Sequence, residues 1–137
     1  MAYAQWVIII IRNVGAAKFS IKNLNPSWGK LHAEGDKDTE VNKSTIEGKV
    51  VEADQQLRIN ACGRSDAAEG TTGSFDLVDV ATQQVIRHVY WDCPWGTKRN
   101  TFTVSGSNSK WMIEYSGQNL DSGALGTISV DVLRKGN

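Results

Sequence analysis

The chain has 137 residues, 40% apolar and 22% charged, with 15 basic residues balanced by 15 acidic ones. That length sets the expectation of one domain, residues 1–137, with a hydrophobic core of its own. The zero formal net charge speaks against nucleic acid as a partner, because phosphate binding draws on surplus cations, and no Lys or Arg run offers a basic patch to an anionic membrane.

Taken in chain order, the first element is the run Val7–Ile11, which is continuous and rich in β-branched residues. It predicts a strand covered on both faces. It stops at Arg12, far short of the roughly 20 apolar residues of a transmembrane helix, and no basic segment precedes it as in an export signal. The sequence therefore reads as a soluble protein with neither a conventional signal peptide nor a transmembrane segment. Trp6, just ahead of this strand, has two placements open: capping the core or facing outward. Asn13-Val-Gly15 and Asn25-Pro26 are turn signals. Trp28 follows in Asn25-Pro-Ser-Trp28-Gly-Lys30, a proline-to-glycine segment that also carries a cation. The polar stretch from Glu34 to Asn42 predicts a loop. Asp36, Asp38 and Glu40 alternate there like the opening of a calcium loop, but Val41 stands where such a loop needs glycine, so no metal is expected.

Leu57, Ile59 and Ala61 alternate with Arg58, Asn60 and Cys62, the period of a strand with one buried face. Cys62 and Cys93 are too few for a disulfide framework and have no metal-ligand spacing. They read as small buried groups or free thiols, with a single bridge left open. Ser65–Glu69 is compatible with one helical turn, and Gly70-Thr-Thr-Gly73 with a turn. Gly63-Arg-Ser65-Asp-Ala67 lacks the second glycine of a nucleophile elbow, and neither His32 nor His88 sits in a catalytic motif. No catalytic residue, cofactor or enzymatic activity is expected.

The densest stretch is His88-Val-Tyr-Trp-Asp-Cys-Pro-Trp-Gly-Thr-Lys-Arg99. It gathers Tyr90, Trp91 and Trp95 beside Lys98 and Arg99. Trp95 lies between Pro94 and Gly96, in turn chemistry that runs over the surface. Trp28 and Trp95 thus share one local pattern, and large exposed apolar groups mark interaction sites. Further on, Phe102 and Val104, then Trp111, Ile113 and Tyr115, then Ile128, Val130 and Val132 repeat the period of two, with turn signals at Gly106-Ser-Asn108 and Asp121-Ser-Gly123. Trp111 is in phase with its strand and is expected in the core. Roughly nine or ten short strands at this spacing predict an all-β sandwich or barrel.

Three long strings resemble the aegerolysin family: Ile59-Asn-Ala-Cys-Gly-Arg-Ser-Asp-Ala-Ala-Glu-Gly-Thr-Thr-Gly73, Tyr90-Trp-Asp-Cys-Pro-Trp-Gly96, and Trp111 to Gly126. The resemblance runs from Met1 to Asn137. It implies a single β-sandwich similar to the actinoporins without their N-terminal pore-forming helix. It also implies binding to sphingomyelin or ceramide phosphoethanolamine in cholesterol-rich membranes, on the outer face of target cells. The implied partner is a B-component with a membrane-attack-complex/perforin domain, which would build the pore. On that basis Trp28, Glu69, Tyr90, Trp91, Trp95 and Lys98 are expected to form a head-group pocket, with Trp6 and Arg99 at the membrane-facing rim. The rival expectation is a lectin, since tryptophan-rich sandwiches can stack sugars.

Overall fold

The computed structural model describes residues 2–136; Met1 and Asn137, the end positions of the expected domain, lie outside them. Eleven strands run through these residues: β1 (Trp6–Asn13), β2 (Phe19–Trp28), β3 (Lys30–Ala33), β4 (Asp36–Glu40), β5 (Val50–Val51), β6 (Gln56–Cys62), β7 (Thr71–Asp79), β8 (Val85–Cys93), β9 (Thr101–Ser105), β10 (Trp111–Ser116) and β11 (Gly126–Arg134). Short 3-10 turns at Ala2–Ala4 and Lys43–Thr45 are the helical elements among the described residues. The strands form a six-stranded sheet in the order β10-β11-β1-β6-β3-β4 and a five-stranded sheet in the order β5-β2-β7-β8-β9. Their inner faces meet as a sandwich, so the expected all-β fold is the observed one.

Alternation along the strands builds the core. Val7, Ile9 and Ile11 of β1, with Ile128, Val130 and Val132 of β11, are fully buried; they face Phe19, Ile21, Phe75, Leu77, Ile86 and Val89 from the other sheet. β1 pairs in parallel with β11 and antiparallel with β6, which puts it inside its sheet. Its other face, with Ile8 and Ile10, stays half-exposed. The expectation of a strand covered on both faces therefore fails. An interior place in the sheet protects the backbone edges of β1 and leaves its outer face partly open.

Other local expectations change as well. Asn25-Pro26 is not a turn: Pro26 lies within β2, between two register shifts that interrupt the ladder where proline has no N–H to donate. The polar segment 36–40 is an edge strand, and residues 71–73 open β7. Residues 65–69 form a turn without a helix. In β6 the alternation ends in burial of both faces, with Asn60 and Cys62 buried along with Ile59 and Ala61. Both cysteines are free and buried, and burial pushes both thiols up in pKa, away from reactive thiolate.

Trp111 is a core residue, 2% exposed, and meets Phe19 edge-on with ring centroids 6.1 Å apart. Its Nε1 donates to Asp79 Oδ2 at 3.1 Å, while the Ala81 amide donates to Oδ1 at 2.9 Å. Burial pushes Asp79 up, but the Trp111, Ala81 and Thr82 hydrogen bonds outweigh it and hold the carboxyl below its ordinary range. A depressed carboxyl contributes stability that is present above its unfolded pKa of about 4 and lost as pH falls through the folded value. Urea denaturation below about pH 4 should therefore show Asp79→Asn losing less stability per pH unit than the wild type.

Candidate functional site

One end of the five-stranded sheet carries a row of aligned residues. Trp28 of β2 pairs with Thr72 of β7, and Thr72 pairs with Asp92 of β8. Thr71, Gly73, Trp91 and Cys93 point inward and are buried, so Thr72 and Asp92 point out. Thr72 Oγ1 donates to Asp92 Oδ1 at 2.8 Å, which fixes both side chains. The chain leaves β2 through Gly29, at φ +73°, and crosses to the other sheet, where Lys30 pairs with Cys62. A Cβ at Gly29 would stand 2.4 Å from the Cys62 carbonyl oxygen, so only glycine lets the crossing run this close. Trp28 is left at the sheet's end, 61% exposed.

Two loops complete the site. The segment Ala68–Gly70 leads into β7, and Pro94–Lys98 follows β8. With Trp28, Thr72 and Asp92 they enclose an open cavity of about 380 Å³, lined also by Glu69, Trp95 and Lys98. Trp95 is 39% exposed. The wall thus offers two indoles, one lysine and two carboxylates. This combination suits a ligand that carries an anionic and a cationic group on a partly apolar body. Glu69 is less isolated than its sequence neighbours suggest: Arg64 Nε lies 4.0 Å from its carboxylate. Arg64 is itself held by Glu40 at 2.9 and 3.3 Å, a fork that keeps the guanidinium in place.

Of the eight residues expected at the site, Trp28, Glu69, Trp95 and Lys98 line this cavity. Tyr90 sits half-buried one step along the same outer face, paired with Ser74 and Thr103, flanking the cavity instead of lining it. Its hydroxyl is pushed up in pKa by burial and by Asp92. Trp91 contradicts the expectation outright. It is fully buried, its ring packs against Phe75 at 6.4 Å, and its Nε1 donates to Thr71 Oγ1 at 3.1 Å. The pleat that turns Tyr90 and Asp92 out must turn Trp91 in. Trp6 lies at the same end of the sandwich but on the other sheet, paired with Cys62 and half-buried, outside the cavity wall. Arg99 is exposed beyond Lys98, its Nε 3.5 Å from the Leu120 carbonyl. Thr72 and Asp92 are the polar residues that the sequence reading overlooked. Asp92 was accessible from the pattern, since placing Trp91 in the core forces its neighbour outward.

Comparison with known proteins gives a consistent result. The sequence profile of the Aegerolysin family matches residues 4–135. Ostreolysin A6 of Pleurotus ostreatus is 74% identical over 138 aligned positions, covering all of both chains. Aegerolysin Aa-Pri1 of Cyclocybe aegerita is 65% identical, covering 99% of this chain and 94% of its own length. Among solved structures, IP-1A from Alcaligenes faecalis superposes with a TM-score of 0.88 at 35% identity, covering 98% of this chain and 94% of that one.

Proposed function

This chain belongs to the aegerolysin family, and from that premise we propose that it is the lipid-binding component of a two-component cytolysin, recognising sphingolipid head groups in cholesterol-rich membranes. It carries out no reaction of its own. It holds the membrane from outside and recruits a B-component with a membrane-attack-complex/perforin domain, which forms the pore. No helix among the described residues is long and apolar enough to cross a membrane.

The observation that carries this reading is one cavity lined by two exposed tryptophans, Lys98 and the carboxylates of Glu69 and Asp92. Lys98 pairs with the head-group phosphate as a charge-assisted donor. Trp28 and Trp95 take the ammonium against their faces, each contact worth about 0.5–2 kcal/mol. Glu69 accepts from an ethanolamine N–H or from a ceramide hydroxyl. Choline has no N–H to offer, so this carboxylate bears on which sphingolipid is preferred. Tyr90 flanks the head group, while Trp6 and Arg99 meet the interfacial layer.

The test is sedimentation with vesicles of sphingomyelin or ceramide phosphoethanolamine, each with and without cholesterol. Failure to bind any of the four sinks the reading. Within the same panel, Glu69→Ala is expected to change the ranking of the four lipids. A lost hydrogen bond to the carboxylate costs about 1–3 kcal/mol, or roughly five- to a hundred-fold in affinity. If all four affinities move by one common factor, Glu69 does not select.

A further inference from the structure

A second cavity, of about 480 Å³, opens on the outer face of the six-stranded sheet, lined by Tyr3, Trp6, His32, Asp36, Lys37 and Asp38. Its volume lies within the roughly 300–1,000 Å³ of small-molecule sites. It shares no lining residue with the cavity described above. We infer that this cavity binds one neutral, hydroxyl-rich ring of hexose size, either free or displayed as the head of a glycolipid.

The aromatic walls are fixed in advance. Lys30 Nζ donates to the Tyr3 hydroxyl at 2.8 Å and lies 4.7 Å from that ring's centroid. Lys37 Nζ donates to the Tyr3 carbonyl at 2.9 Å and lies 5.2 Å from the Trp6 ring. With one face of each ring taken by an ammonium, the remaining aromatic surface that lines the cavity meets the C–H side of a sugar without having to be ordered on binding.

Two acceptors are left over, beside the N–H donors of Lys37 that the Tyr3 carbonyl does not use. The Tyr3 hydroxyl donates to Asp38 Oδ1 at 3.0 Å, while Asp38 Oδ2 has no hydrogen-bond partner among the described residues. His32 is 4% exposed, and its Nδ1 lies 2.7 Å from the Ala33 carbonyl oxygen. A carbonyl only accepts, so Nδ1 carries the hydrogen. Burial lowers the ring's pKa and keeps it neutral, which leaves Nε2 an acceptor, and that buried atom has no partner among the described residues. A buried polar atom without a partner calls for one. Charge narrows the ligand further. Asp36 and Asp38 repel an anion, while Lys37, already seated by the Trp6 ring, repels a second cation. A neutral polyol meets neither obstacle, and its hydroxyls bring the donors that Asp38 Oδ2 lacks, while His32 lines the wall.

This assignment does not depend on the lipid reading, and its test separates the two. Methyl β-glucoside is titrated against the protein by tryptophan fluorescence. Phosphatidylcholine vesicles with and without glucosylceramide are compared in sedimentation. At least one of the two probes is expected to bind, the free glucoside reporting a soluble ligand and the glucosylceramide-dependent gain a displayed one. Asp38→Ala, a change at an exposed position, should weaken whichever binds by about tenfold or more. Trp28→Ala should leave the glucoside affinity, or the glucosylceramide-dependent gain, within about twofold, because that ring lines the other cavity. Binding of neither probe, or binding that survives Asp38→Ala, overturns the assignment. So does binding lost in Trp28→Ala, which would place the sugar in the first cavity.

Discussion

Replacing Trp91 by alanine should destabilise the protein by about 3–5 kcal/mol, as large-to-small core changes do, and lower its melting temperature by roughly 10–20 °C. Trp91 is the larger of the rings packed beneath the site and is wholly inaccessible. It fills space that the facing strand leaves for it: a Cβ at Gly73 would stand 2.3 Å from the indole, so the ring passes directly over bare glycine backbone. Its removal leaves a cavity under the row formed by Trp28, Thr72 and Asp92. It also leaves Thr71 Oγ1 without its buried donor, a further cost of about 1–3 kcal/mol if nothing replaces it. Calorimetry on the purified variant checks this directly. A variant that melts with the wild type but no longer binds lipid would return Trp91 to the pocket.

Trp95→Ala should do the opposite. With 39% of its surface exposed in the loop after β8, this ring supports little of the core, so its removal should change stability by no more than about 0.5 kcal/mol. Vesicle affinity should fall by roughly 30- to 1,000-fold, or about 2–4 kcal/mol. With 39% of its surface still open, an indole of about 150–250 Å² has roughly 60–100 Å² left to bury, and at about 25 cal/mol per Å² its transfer to the membrane interface accounts for about 1.5–2.5 kcal/mol of that loss. Measuring melting temperature and vesicle binding on the same preparation separates the two tryptophans. Equal losses of stability in Trp91→Ala and Trp95→Ala would show that Trp95 is also structural.

Much of the architecture was legible in the sequence because burial on one face leaves a period of two. The strands around Ile59, Phe102, Trp111 and Ile128 announced themselves in this way, and so did the core position of Trp111. The outward placement of Trp28 and Trp95 followed from glycine and proline on either side. What stayed hidden depended on neighbours distant in sequence. The polar strand at Asp36–Glu40 exists because His32 and Ala33 pair with it, and no local pattern reports a partner strand. Pro26 sits inside β2 because register shifts open the ladder around it. Trp91 misled for a different reason. Grouping the aromatics of 90–95 by composition put them all on the surface, whereas the pleat assigns adjacent residues to opposite faces. Arg64 came close to Glu69 only through the turn at residues 65–68.

The parallel pairing of β1 with β11 bears on how the molecule acquires its structure. Arg12 and Asp131 are 119 positions apart and meet across that pair, with Nε and Oδ1 at 2.8 Å. β1 therefore keeps an unsatisfied edge until β11 has been synthesised, and its row of isoleucines waits with it. Local hairpins such as β7–β8 can close early, but the larger sheet cannot be completed from one half of the chain. Closing so long a loop costs entropy before its contacts repay it, which places refolding in the millisecond-to-second range of sheet proteins. It also makes any species that has collapsed without β11 prone to pair its open strand with a second copy.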